Sequence, residues 1–244
     1  MGPAVLAAGV TRGVLGVLRH VKPEGVGERK NYAGRTVDLC PGPAATVGAV
    51  AGALLAEPEV RGAAVLATLV AGACGGYDDV AGRADPRRGF RAHLGALRDG
   101  ELTSGAVKLF GISAAGLAAG ALLKRRPVDK ALAGVVIAGT AHFVNLVDVR
   151  PGRAAQVALA LGVPGLLRGS LAAAPMGAAA AVLPDDLAER GMLGDAGAHA
   201  LGAAVGVAIV AGNGRPGLVA HAAGLVAATV YGDRVSALAQ GPLT

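Results

Sequence analysis

Nine apolar stretches run through this chain of 244 residues, and clusters of charged residues separate them. Most are close to the roughly 20 residues, or about 17 at the short end, that a helix needs to cross a bilayer. Only 16% of the residues are charged and 53% are hydrophobic, whereas soluble domains are typically about 25% charged. The pattern predicts an all-α, polytopic integral membrane protein with about nine transmembrane helices, forming one transmembrane domain over residues 1–244. The predicted spans are residues 3–20, 42–57, 61–77, 103–122, 130–146, 154–168, 170–183, 196–212 and 216–231.

Two of these stretches are unusual. The first has no basic residue ahead of its apolar part and carries Arg12 inside it, which favours a retained span over a cleaved signal peptide. The stretch 170–183 contains Pro175 and is compatible with a broken or re-entrant helix. The two cysteines, Cys40 and Cys74, lack any metal-ligand spacing, and we expect both to be reduced.

The distribution of Lys and Arg predicts the orientation. With nine alternating spans, one side of the membrane carries fourteen of these residues and the other side carries seven. Basic residues accumulate on the cytoplasmic side, so the first side is predicted to face the cytoplasm of a multi-pass plasma-membrane protein. The segment "LLKRRPVDK" lies on the other side, against this trend.

The net charge of +6 does not require a nucleic-acid partner, because a basic cytoplasmic surface beside anionic headgroups accounts for it. The 40 glycines and many alanines are typical of closely packed membrane helices. Such small-residue spans also permit a homodimer.

Six polar side chains fall at span ends on the predicted cytoplasmic side. Hard oxygen ligands of this kind suit Mg²⁺, which usually takes one or two carboxylates plus substrate phosphates. A lysine supplies a compact positive charge for phosphate. The six are Asp78, Asp79, Lys108, Asn145, Asp148 and Asp195.

Each of these residues also has a purely structural interpretation. The aspartate pair in "YDD" and the polar residues in "NLVD" are compatible with solvated helix ends. Lys108 could extend toward the headgroups, and Asp195 could cap a helix N-terminus. The joint placement on one membrane surface favours a functional site.

In this order, the motifs resemble those of the polyprenyl-phosphate N-acetylhexosamine-1-phosphate transferases. The resemblance runs from about Asn31 to Asp195. Its segments are "NYAGRTVDLCPGPAATVGAVAGALL", "YDDVAGR", "GELTSGAVKLF", "NLVDVRPGRA" and "MLGDAGAHALG".

The resemblance implies a Mg²⁺-dependent enzyme that moves a sugar 1-phosphate from a UDP-sugar to polyprenyl phosphate, releasing UMP for cell-envelope glycan synthesis. It implies catalytic roles for Asp78, Asp79, Lys108, Asp148 and Asp195. It further implies that Asp195 and Asp148 bind the metal and that Asn145 contacts the nucleotide sugar. The active site would face the cytoplasm.

The basic pair Arg150 and Arg153 departs from the family, which has a second acidic residue in this segment. The two arginines could bind a phosphate or anchor the loop to anionic lipid. The family's His-rich loop near the C-terminus also has no counterpart, since His199 and His221 are isolated. Two alternatives follow: a non-catalytic relative that binds polyprenyl phosphate or supports a cell-envelope complex, and a transporter with polar residues along its pathway.

Overall fold

Helices make up about three-quarters of the described protein. The computed structural model describes residues 2–23, 25–82, 87 and 89–241, with 76% helix and 3% strand. The prediction of an all-α protein is therefore confirmed. The described residues form one short hairpin and eleven helices: α1 (Gly2–Val21), β1 (Glu28–Lys30), β2 (Thr36–Asp38), α2 (Pro41–Ala53), α3 (Pro58–Ala81), α4 (Gly89–Arg98), α5 (Ser104–Leu123), α6 (Pro127–Leu146), α7 (Arg153–Leu166), α8 (Ala173–Leu187), α9 (Gly194–Ala211), α10 (Arg215–Val230) and α11 (Gly232–Ala239).

Each of the nine predicted spans coincides with a helix, but the helices differ in their capacity to span a membrane. In the described part of the chain, α1, α3, α5 and α9 are long and apolar enough to cross one. The helices α2, α7, α8 and α10 have 13 to 16 residues. At 1.5 Å per residue they measure about 20–24 Å, which is shorter than the roughly 30 Å hydrocarbon core. The fold is thus compatible with a membrane protein, and the count of nine spans stays a prediction.

Proline and threonine mark where several helices begin. Pro41, Pro58, Pro127 and Pro216 lie in the first turns of α2, α3, α6 and α10, where a missing backbone N–H costs nothing. At the start of α5, the Thr103 side chain accepts a hydrogen bond of 3.1 Å from the Ala106 backbone N–H. The helix boundaries therefore follow from local sequence chemistry.

The helix α9 forms the centre of the bundle. Of its most apolar 18-residue stretch, 83% is buried, against 17–39% for the other three long apolar helices. It packs on α2, α3, α6 and α7. A Cβ at Gly202 would lie 2.6 Å from the Thr140 carbonyl oxygen, and one at Gly206 would lie 2.9 Å from the Ile137 Cα. The two glycines thus let α9 and α6 approach closely.

The outer helices expose large apolar side chains. The helix α1 packs on α2 and α8, α5 packs on α3 and α6, and α10 packs on α6. Their other faces carry apolar residues whose exposure suits contact with lipid tails. Examples are Val5, Val17, Leu117, Leu122, Val219 and Val226.

The two ends of the bundle are held by different contacts. At one end, Asp38 pairs with Gly191, and Asp185 binds Arg12, Arg19 and Arg190. This end also contains the hairpin, the last turns of α3 and α6 and the first turns of α5 and α9, and we call it the polar end. At the other end, Arg215 pairs with Asp129 at 2.6 Å.

Candidate functional site

Lys108 joins two carboxylates from different helices at the polar end. Its Nζ lies 2.6 Å from Asp78 Oδ2, at the end of α3, and 2.5 Å from Asp195 Oδ2, in the first turn of α9. All three side chains are at most one-fifth exposed. One ammonium therefore faces two carboxylates, which leaves this group with an excess of negative charge. We call these three residues the Lys108 site.

Asp79 has a different role from its neighbour Asp78. It is buried, and its carboxylate accepts hydrogen bonds from the backbone N–H groups of Asp195 (3.1 Å) and Ala196 (2.9 Å). Arg29 of the hairpin also approaches it, at 3.2 Å. A carboxylate on the first N–H groups of a helix satisfies donors that lack intrahelical partners and stabilises the helix dipole. Asp79 thus caps α9 from α3 and fixes the position of Asp195, so Asp195 is not itself the cap.

Two glycines permit this contact between α3 and α9. A Cβ at Gly75 would lie 2.2 Å from the Asp195 carbonyl oxygen. Gly194 has φ +58°, a conformation that favours glycine, and its added Cβ would lie 2.9 Å from the Asp79 carboxylate. The sequence around both aspartates is therefore glycine-rich for a steric reason.

An apolar groove of about 470 Å³ opens beside the Lys108 site. It runs between α5, α6 and α10, and its walls include Leu109, Ile112, Val135, Leu225 and Val226. Lys108, His142, Asn145 and His199 also line it. The groove thus combines a hydrophobic wall with cationic and polar side chains, a combination typical of sites for amphipathic ligands.

Asp148 lies in a second, smaller cavity of about 80 Å³. Asp186 and Arg150 line the same cavity, and the Arg150 guanidinium stacks 5.1 Å from the centre of the Tyr32 ring. Burial raises the pKa of Asp186 to about 6. Burial, together with repulsion from Asp186, raises the pKa of Asp148 well above its ordinary value. The structure therefore brings Asp148 together with Asp186 and not into the Lys108 site.

The remaining predicted residues are divided between these places. Asn145 lines the apolar groove, one helical turn after His142 on α6. The Arg153 side chain donates a hydrogen bond to the Gly241 carbonyl oxygen, which ties the chain after α11 to the start of α7. Arg153 thus has a structural partner, while the Arg150 side chain is exposed.

Asp78 and Asp195 provide hard oxygen atoms of the kind that a divalent cation prefers. Both carboxylates contact the Lys108 ammonium in this structure, so an ion bound between them would have to displace it. In the described part of the chain, no group of three or more His, Cys, Asp or Glu side chains is arranged to hold a metal. A magnesium ion here would thus depend on two carboxylates completed by substrate phosphates and water.

Two histidines at the polar end could hardly be recognised as site residues from the sequence. His142 and His199 look like isolated histidines inside apolar helices, yet both line the groove together with Lys108. His199 is buried, and its Nδ1 lies 2.8 Å from the Asp195 carbonyl oxygen. The spacing of His142 three residues before Asn145 was the one available indication that they share a helix face.

Arg12 and His221 lie within predicted spans, where a transporter could use them, and both have contacts within the protein. Arg12 binds Asp185 at the polar end, and His221 Nδ1 lies 2.7 Å from the Gly217 carbonyl oxygen in its own helix.

Comparison with known proteins adds no relative to this description. No protein-family model matches the chain, and no curated protein matches it at a significant level.

Proposed function

We propose that this protein is a membrane-embedded phosphoglycosyltransferase with its site at the cytoplasmic face of the plasma membrane. It would transfer a sugar 1-phosphate from a UDP-sugar to polyprenyl phosphate and release UMP. The observation that carries the proposal is the position of Lys108, which contacts Asp78 and Asp195 and also lines the apolar groove. A lipid with a phosphate head needs this combination of an apolar wall and a cationic end.

The reaction joins two anions, so neutralisation of charge dominates its barrier. An oxygen of the lipid phosphate would attack the β-phosphorus of the UDP-sugar. The bond between that phosphorus and the bridging oxygen would break, and UMP would leave with the bond's electrons. The second pKa of a phosphate monoester is about 6, so the lipid phosphate is largely ionised at pH 7 and needs no general base.

Each residue of the Lys108 site has a defined part in this scheme. The Lys108 ammonium would leave the two carboxylates and bind the lipid phosphate. Asp195 and Asp78 would hold Mg²⁺, which supplies positive charge to the diphosphate when bound. Asp79 would act as a positioning residue through its cap on α9. Arg150, exposed beside the second cavity, is available for a phosphate of the nucleotide.

The direct test measures UMP release by the purified full-length protein. The reaction would contain undecaprenyl phosphate, Mg²⁺ and one UDP-N-acetylhexosamine at a time from a panel. We expect release that requires both the lipid and the metal, and the panel identifies the sugar. Lipid binding without UMP release across the panel would contradict the transferase and favour a non-catalytic protein that binds polyprenyl phosphate.

A groove-filling substitution provides a second prediction. Ala138 lines the groove from α6. Ala138→Phe would occupy apolar volume and is expected to raise the KM for the lipid at least about tenfold. Each buried methylene of the lipid is worth about 0.8 kcal/mol, and the ring would displace several of them. The KM for the UDP-sugar should change little. Initial rates at varied lipid concentration measure both.

The matched control is Ala223→Phe, which places the same ring on an exposed face of α10 away from this groove. An equal rise in lipid KM for both variants would argue against the groove as the lipid site.

A further inference from the structure

Asp186 is a buried carboxylate with an oxygen that nothing satisfies. Its side chain is 3% exposed, and in the described part of the chain its Oδ2 has no hydrogen-bond partner. The backbone N–H of Gly152 favours the charged form of this carboxylate and so opposes the rise in its pKa. A buried polar atom without a partner costs about 1–3 kcal/mol, and more when it carries charge. A ligand that binds this oxygen would therefore remove an energetic cost.

The Asp186 side chain lines the small cavity that also contains Asp148. Asp148 makes no ion pair with any described residue, so two carboxyl groups share about 80 Å³ without a compensating charge in contact. A third acid on the wall, Glu189, is satisfied, because Asn31 donates to it at 2.7 Å and Arg35 lies at 3.5 Å. The carboxyl groups of this cavity that lack an ion-pair partner among the described residues are thus Asp148 and Asp186.

The nearby basic side chains are directed elsewhere. Arg29 binds Asp79, and the Arg150 guanidinium lies over the Tyr32 ring. Lys30 lines the cavity but forms no ion pair with either carboxylate. In the described structure, no basic side chain forms an ion pair with either carboxyl group, and Arg29 acts on Asp148 only from a distance.

We propose that Asp148 and Asp186 bind one divalent cation of the hard, oxygen-preferring class, such as Mg²⁺, at a site separate from the Lys108 site. Two carboxylates completed by water or backbone carbonyls are a normal ligand set for this class. The cavity has room for an ion with bound water, since a single water needs only about 10–15 Å³ of such space. The cation would join the α6–α7 connection to the end of α8. This site does not depend on the proposed transferase activity.

Manganese serves as the probe because it replaces Mg²⁺ at oxygen sites and its free form is measured by electron paramagnetic resonance. The full-length protein would be titrated in detergent without lipid or nucleotide, and bound Mn²⁺ then displaced with Mg²⁺. We expect Asp186→Asn to weaken one binding event at least about tenfold, because even outer-shell changes at metal sites cost about 10- to 100-fold. Asp195→Asn should leave this event unchanged.

Glu189→Gln is the matched control, since it removes the same charge from the wall of the same cavity at a residue with partners of its own. Unchanged Mn²⁺ binding in Asp186→Asn, or no binding by the wild-type protein, would overturn the proposal. If Mn²⁺ bound to the Arg150→Gln variant but not to the wild-type protein, Arg150 would be the counter-ion of the two carboxylates. That result would also overturn the proposal. Circular dichroism verifies folding, and Asp148→Asn replaces Asp186→Asn if the latter does not fold. Failure of UMP release would leave this result unaffected, so the two proposals fail separately.

Discussion

Replacing Lys108 by glutamine is expected to abolish UMP release and to destabilise the protein. In the wild-type protein both Asp78 and Asp195 contact the Lys108 ammonium. The substitution leaves the two carboxylates close together without this positive charge. Removing one partner of a buried ion pair typically costs about 3–5 kcal/mol, because the other charge is left uncompensated. Losing a preorganised charge at a reacting phosphate typically lowers kcat by about 100- to 1,000-fold. Thermal unfolding in detergent and the UMP assay measure the two effects independently.

The double variant Lys108→Gln/Asp78→Asn separates stability from activity. Removing one carboxylate relieves the repulsion, so we expect most of the lost stability to return while UMP release stays absent. If the double variant recovered activity together with stability, Lys108 would have only a structural role. If the single variant were as stable as the wild type, the three side chains would not form the buried contact described here.

The second large effect is expected for Gly75→Val. The added side chain would begin 2.2 Å from the Asp195 carbonyl oxygen, which is backbone and cannot rotate away. The helix α9 must then move from α3, which breaks the hydrogen bonds from Asp195 and Ala196 to Asp79. Overpacking typically costs about 1–3 kcal/mol, and a lost helix cap adds about 0.5–2 kcal/mol. We expect a lower unfolding midpoint and loss of UMP release.

Gly62→Val provides the control on the same helix. A Cβ at Gly62 meets nothing within 4 Å, so this substitution changes helix propensity equally without touching α9. Similar unfolding midpoints for the two variants would mean that α3 and α9 are not packed as closely at Gly75 as the structure has them.

The helix positions could be predicted from sequence because each apolar run is bounded by charged or proline-containing segments. The number of helices long enough to cross a membrane could not be predicted from sequence. For example, α2 and α7 are as apolar as spans but end after 13 and 14 residues. Hydropathy reports the apolar character of a segment but not the residue at which its helix ends. The hairpin between α1 and α2 gave no periodic signal over its three-residue strands.

The Lys108 site was partly accessible from sequence. Position at span ends indicated that Asp78, Lys108 and Asp195 share one surface, and the structure places them in contact. The different roles of Asp78 and Asp79 could not be predicted, because adjacent helical residues point in directions about 100° apart and only the packing against α9 distinguishes them. The different roles of Asp185 and Asp186 could not be predicted either. Asp185 binds three arginines, whereas Asp186 binds none among the described residues.

The ion pair between Arg12 and Asp185 has a consequence for how the protein is made. Arg12 lies in the first helix, and its carboxylate partner is 173 positions further along the chain. A ribosome adding about 5–20 residues per second needs roughly ten seconds or more to reach that partner. If α1 enters a bilayer in this interval, Arg12 does so without its partner, at a cost of up to about 2.5–3.5 kcal/mol on insertion scales. A membrane-inserted α1 would thus be held less firmly until α8 has been synthesised.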